Sequence, residues 1–170
     1  DRVKCTIAPN SGALTFATPP DYENPTDSEP NNTYVVEVTA TDNGDGNLTD
    51  TQTITVTVTN INDNIPVVTP DQTFDVSELA SNATIVGDVA ATDDDVATFF
   101  QNWTITTGNG SGIFQIDANG RITVADSTQL DFETTTQYLL GVTVSDRENV
   151  SQAETVTINV IDENEAPAFT

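Results

Sequence analysis

Apolar side chains fall at every second position in two stretches of the chain, Tyr34, Val36 and Val38 in "YVVEV" and Ile54, Val56 and Val58 in "ITVTV". The same alternation returns at Tyr138, Leu140, Val142 and Val144, and at Val156, Ile158 and Val160, with Thr155, Thr157 and Asn159 facing the other way. A period of two marks a strand with one buried face. Along the second half of the chain this pattern predicts seven strands, at 73–77, 85–91, 102–106, 113–117, 121–125, 137–145 and 153–161. One-sided strands bury their apolar faces when two sheets close over each other, which is a β-sandwich. Trp103 and Ile105 alternate in phase with the strand at 102–106, so both are expected in that core rather than on a ligand surface.

The pattern is also a repeat. "YVVEVTATDNGDGNLTDTQTITVTVTNINDNIP" at 34–66 returns as "YLLGVTVSDRENVSQAETVTINVIDENEAP" at 138–167, and an Asp-aromatic-Glu triplet precedes each copy, at 21–23 and 131–133. The triplets are 131 − 21 = 110 positions apart, a domain length rather than a solenoid repeat. Upstream, "VKCTIAPNSGALTFA" aligns with "GIFQIDANGRITVA", which sets Cys5 as a small apolar core residue at the place of Phe114 and Ile7 at that of Ile116. Nothing before it corresponds to 67–112, so three strands of the first copy are missing. The expected fold is all-β, two tandem Greek-key β-sandwich domains of immunoglobulin-like type, the first lacking its N-terminal strands. The expected divisions are a partial repeat at 1–62, a complete repeat at 63–164, and the start of a following repeat or linker at 165–170. The apolar face left open in the first copy is expected to be completed by strands from outside this sequence, whether an upstream segment, a cleaved fragment or a neighbouring chain in an oligomer or fibre.

Charge narrows the partners. Against 27 acidic residues stand 4 basic ones, a formal net charge of −23, which opposes binding to nucleic acid or an anionic membrane surface and favours a cation. No stretch is apolar for long enough to insert directly in a bilayer, and no charged-then-apolar leader opens the chain. With a single cysteine and no histidine, neither a disulfide framework nor a thiolate or imidazole zinc site can be written. Paired carboxylates in "DYE" and "DFE" could in principle do glycosidase chemistry. They lie at the ends of the repeat units with no aromatic-lined cleft around them, and no enzyme activity is expected.

Acids and amides recur instead at matched junction positions, most densely in "NINDNIP" at 60–66. Calcium takes about 6–8 oxygens from carboxylates, amides and carbonyls and tolerates irregular geometry, whereas magnesium keeps more of its water. A hard cation therefore accounts for the recurrence better than a merely solvated acidic surface. Six N-x-S/T sequons, at Asn31, Asn47, Asn82, Asn102, Asn109 and Asn149, complete the motifs. In a chain so rich in Thr and Asn several of them arise by composition alone.

Taken together, the chain resembles a tandem pair of cadherin repeats, of the bacterial cadherin-like kind. "NINDNIP" is similar to the family linker DxNDNxP with Asn60 in place of the leading Asp, and "DENEAP" at 162–167 to a variant common in bacterial repeats. "LDFE" at 130–133, the looser "PDYE" at 20–23, "ATDDD" at 91–95 and "VSE" at 76–78 resemble the remaining family motifs in order. The resemblance implies calcium ligands at the junction from Asp21 and Glu23 upstream, from Asn60, the Asn62 carbonyl, Asp63 and Asn64 in the linker, and from Asp93, Asp95 and Asp146 downstream. It implies half a site at the far end from Glu78, Asp131, Glu133, Asp162, Asn164 and Glu165, and leaves Asp42 over from an earlier junction. The function so implied is a calcium-stiffened extracellular module of a longer array, in contact with neighbouring repeats and acting in cell-surface adhesion or as an adhesin stalk on a bacterial surface. The alternative is a carbohydrate-binding or accessory domain of a secreted polysaccharide-degrading enzyme, with Phe99 and Phe100 as its aromatic platform.

Overall fold

The computed structural model describes residues 4–95 and 99–165. The chain divides into two compact units between Ile61 and Asn62, one residue ahead of the expected boundary. Of the expected following linker at 165–170, all but Glu165 lies outside the described residues.

In the first unit β1 (Cys5–Ile7) pairs with β2 (Leu14–Phe16), and β3 (Thr33–Thr41) with β4 (Thr49–Thr57), each pair antiparallel. Tyr34 and Val36 are buried, with Phe16 set edge-on against Tyr34 at 4.9 Å between ring centroids. Val38, Ile54 and Val56 continue the same face but are covered only in part. A groove of about 630 Å³, lined by Cys5, Ile7, Leu14 and the 35–39 stretch of β3, runs along the unit.

The second unit carries a full core. β5 (Val67–Val68) pairs with β8 (Ala91–Thr92); β7 (Ile85–Asp88) joins β11 (Arg121–Val124) and β10 (Phe114–Ile116). The larger sheet runs β6 (Thr73–Ser77), β13 (Glu154–Ile161), β12 (Gln137–Ser145) and β9 (Gln101–Thr107), with β6 parallel to β13 and the other pairs antiparallel. The expected alternation holds: Leu140, Val142 and Val144 on β12 and Val156, Ile158 and Val160 on β13 lie in one buried cluster with Trp103, Ile122 and Val124, while Ile105 and Tyr138 pack against it half-buried. The four strands that close the unit, β10 to β13, have counterparts in β1 to β4, but β5 to β9 have none among the described residues of the first unit.

The expected strand at 85–91 is two strands. Its first half pairs with β11 and its second, from Ala91, with β5, and the chain changes partner across Val89, whose N–H donates to the Gly120 carbonyl at 2.8 Å. Gly120 closes the "DANG" hairpin turn at φ +81°, under the indole of Trp103, where a β-carbon would press on the ring at 3.0 Å. Only glycine meets both the positive φ and the close approach.

Candidate metal centre

Asp93 and Asp95 follow β8 in a bend with one residue between them; Asp95 is buried and Asp93 half-buried while Asp94 stays exposed. Asp93 Oδ1 accepts the Asp95 N–H at 2.9 Å, a local turn that fixes the pair. Asp146 follows the last residue of β12, and its Oδ1 accepts the N–H groups of Glu148 at 2.9 Å and Asn149 at 2.6 Å, which turns the chain back toward Val150. These two loops, from opposite ends of the sequence of the unit, bring one carboxylate oxygen each from Asp93, Asp95 and Asp146 within 4.8 Å of one another. Asp95 and Asp146 are buried.

The linker folds onto this cluster. Asn64 donates its N–H to Asp95 Oδ2 at 2.9 Å, and the end of the Asn62 side-chain amide stands 2.9 Å from Asp146 Oδ2 and 3.0 Å from Asp95 Oδ2. With its nitrogen turned inward, that amide donates to both carboxylates; with its oxygen inward, it adds a neutral oxygen to them. Asp63 stays exposed beside the two amides. Asn149, which the sequence marks only as a sequon, donates from Nδ2 to the Asn64 carbonyl at 2.9 Å and so holds the linker in place.

Three observations test whether a hard cation fits. The donor set is oxygen throughout; the spacing of the carboxylates suits a calcium radius, since oxygens on opposite sides of one ion stand about 4.6–5.2 Å apart; and Asp93 Oδ2 is buried with no hydrogen-bond partner among the described residues. A buried lone oxygen of this kind costs free energy unless something positive faces it. Burial pushes the Asp93 carboxyl above the usual range, with the charges of Asp95, Asp146 and Asp94 adding to the shift and the Asp95 N–H opposing it. The residues fit the ion.

That raised pKa fixes a sign. An acid that binds its proton more tightly folded than unfolded penalises the fold when ionised, so its contribution improves as pH falls from its raised folded value toward the ordinary 3.8. Asp93→Asn keeps the oxygen that accepts the Asp95 N–H and removes the charge. In chelator at neutral pH it is expected to raise the melting temperature of the second unit by a few degrees, and in calcium to lower it. A variant that is less stable under both conditions would show that Asp93 is only a structural turn residue.

A second carboxylate group lies at the far end of the same unit, where Glu78, Glu133 and Asp162 each place an oxygen within 4.8 Å of the others. Glu78 is buried and accepts the N–H groups of Phe132 and Glu163, each at 2.7 Å, which ties the 131–133 triplet to the segment after β13. Asp131 takes the Thr134 hydroxyl at 2.7 Å, and that bond leads the effects holding its carboxyl below the usual range. Asn164 and Glu165 are exposed; burial pushes the Glu165 carboxyl up, and the charges of Glu78, Glu133, Asp131 and Asp162 push it the same way.

The remaining expected ligands belong to the first unit. Asp21 Oδ1 accepts from the N–H groups of Glu23 at 3.0 Å and Asn24 at 3.1 Å, Glu23 is half-buried, and Asn60 lies beyond the end of β4. Asp42 Oδ1 closes the loop to Leu48 by accepting the N–H groups of Gly44 at 3.2 Å and Leu48 at 3.1 Å. The aromatic platform that the carbohydrate-binding alternative needs is not formed: Phe100 turns inward to meet Trp103 edge-on at 6.2 Å, and Phe99 lies under the Arg147 guanidinium at 5.7 Å.

Comparison with known proteins bears on the family of the chain. A family model described as "Cadherin domain" matches residues 72–161. Cadherin-87A of Drosophila melanogaster is 36% identical over 79% of this chain, which spans 7% of that protein. Cadherin-related family member 3 of Homo sapiens is 30% identical over 91% of the chain, which spans 18% of it. Among solved structures, mouse cadherin-23 EC22-24 superposes with a TM-score of 0.74 at 26% identity, covering 95% of this chain and 51% of that one. Drosophila N-cadherin EC1-4 gives 0.74 at 22% identity, covering 94% and 40%, which speaks for the fold alone.

Proposed function

This chain belongs to the cadherin family, and from that premise we propose that it is a calcium-binding module of a longer tandem array, stiffened by calcium at domain junctions and serving cell-surface adhesion or an adhesive stalk. As a cadherin domain it is extracellular, and among the described residues no helix is long and apolar enough to cross a membrane. The observation that carries the calcium reading is the unpartnered Asp93 oxygen beside Asp95 and Asp146, with the Asn62 amide turned onto the same carboxylates. Asp93, Asp95, Asp146, Asn62, Asp63 and Asn64 would hold the ion from the second unit, and the resemblance adds Asp21, Glu23 and Asn60 from the first. Asn for Asp at position 60 removes one charge from that set. What calcium supplies is neutralisation of carboxylates that otherwise repel one another.

The far-end set of Glu78, Asp131, Glu133, Asp162, Asn164 and Glu165 is then half of the next junction, and Asp42 a remnant of the previous one. The partly covered face of the first unit and its groove support completion by strands of a neighbouring segment or chain. The narrower kinship with bacterial cadherin-like repeats has the "DENEAP" variant as its support, while the relatives named above are animal proteins. A carbohydrate-binding role loses its platform with Phe100 turned inward.

Small-angle scattering with and without chelator, paired with calcium titration calorimetry, tests the proposal. Calcium should bind and the scattering curve should change toward a stiffer particle. Binding with an unchanged curve would confine calcium to stabilising single units, and no binding would end the reading altogether.

A further inference from the structure

The structure sorts the six sequons by what their amides already do. Asn149 spends both amide hydrogens, on the Asn64 carbonyl at 2.9 Å and on Asp146 Oδ2 at 3.5 Å, beside the carboxylate cluster. Asn109 is held at both ends, its Nδ2 donating to the Phe114 carbonyl at 2.6 Å and its Oδ1 accepting the Phe114 N–H at 3.1 Å. Asn82 and Asn31 use their oxygens, to accept the N–H of Ser127 at 2.7 Å and of Thr33 at 2.9 Å. Asn47 and Asn102 are exposed and make no side-chain hydrogen bond among the described residues.

Asn102 has a further property. It sits on β9, which pairs with β12 on one side and among the described residues is the last strand of its sheet. The register slips between the pairs Thr143–Thr104 and Ser145–Gln101, so β9 carries an extra residue there, and Asn102 takes it up at φ +53°. This is a β-bulge with an asparagine in the left-handed region, which asparagine tolerates better than most residues. The bulge lets Trp103 go into the core while Asn102, on the last strand of the sheet, stays exposed. Exposed edges invite pairing with other chains, and proteins cover or bend them.

We propose that Asn102 is an N-glycan acceptor and that its glycan covers the open edge of β9, whereas Asn149 is not used. The donor is an oligosaccharide on a lipid pyrophosphate. The bond from the sugar anomeric carbon to the pyrophosphate oxygen breaks with the electron pair leaving on the lipid pyrophosphate, a bond from that carbon to Asn102 Nδ2 forms, and Nδ2 gives up one proton to a carboxylate of the transferase. The glycosylated nitrogen retains one hydrogen. At Asn102 that change breaks nothing in the finished fold. At Asn149 it removes one of the two hydrogen bonds and sets a bulky group against Asp146. Asn47 has an equally free amide, but it lies in the loop between β3 and β4, where a glycan covers no sheet edge. The inference does not depend on calcium.

The test is secretion of the full chain from an animal cell line, with glycopeptide mapping before and after enzymatic removal of N-glycans. Asn102 should be occupied and Asn149 bare. Thr104→Ala should abolish the modification at Asn102, and Thr104→Ser, which keeps the hydroxyl that bonds the Asn102 carbonyl at 3.0 Å, should restore it. Wild-type chain stripped of glycan and Thr104→Ala should both self-associate at several-fold lower concentration in light scattering than the glycosylated chain, with unchanged melting temperature. A bare Asn102 in the secreted wild type, or Asn149 occupied in its place, overturns the assignment. Equal self-association with and without the glycan overturns the edge-covering role.

Discussion

Replacing Leu140 by alanine is expected to cost the second unit about 2–5 kcal/mol, the range for deleting a large aliphatic side chain from a closed core. Leu140 is 0% exposed and lies among Val142, Val156, Ile158 and Trp103. Since whole domains are stable by only about 5–15 kcal/mol, the loss should lower the melting temperature by roughly 10 °C or more. Leu139→Ala is the matched control, because its side chain is 55% exposed on the opposite face of the same strand. Urea melts in saturating calcium should give a large fall in midpoint for the first variant and little for the second. If the two costs were equal or reversed, the register of β12 would be wrong by one residue, since a slip of one exchanges the faces.

Saturating calcium should stabilise the second unit by a comparable amount. A ligand bound only by the folded state adds RT ln(1 + [L]/Kd), about 2.7 kcal/mol at roughly 100 Kd, which is roughly 10–20 °C for a domain near 100 residues. Asp95→Asn should remove most of that gain. The substitution keeps an oxygen to accept the Asn64 N–H, so the linker contact survives while the buried charge is lost. Thr155→Ala, on the exposed face of β13, should retain the full shift. Calorimetric scans in calcium and in chelator read both numbers directly. An undiminished calcium shift in Asp95→Asn would place the ion away from the cluster of Asp93, Asp95 and Asp146.

Much of this was legible before any coordinates. Alternation over 137–145 and 153–161 is regular enough that the buried apolar members of β12 and β13 follow from period alone, though not the burial of Gly141 and Ser145 on the other phase, and the recurrence of the Asp-aromatic-Glu triplet after 110 positions marks a second copy of one unit. Family membership followed from motif order. The oxygen-rich character of the linker was equally plain, because Asp and Asn have no reason to cluster in a segment meant only to be flexible.

What the sequence by itself determined is therefore the class of the fold, the phase of each long strand and the kind of ion that its side chains suit. Only the tertiary structure decided the partners. Periodicity reports which face of a strand is apolar, but it carries no record of which strand lies alongside. The split of 85–91 between β11 and β5, and the bulge that leaves Asn102 exposed while Trp103 turns in, were accordingly invisible. The same limit applies to the site. Asp93 and Asp146 are 53 positions apart, and Asn149 reaches an Asn64 carbonyl across 85. Their meeting depends on β12 ending where the segment after β8 passes, which no local pattern encodes. The burial that leaves one Asp93 oxygen without a partner exists only once the unit has closed.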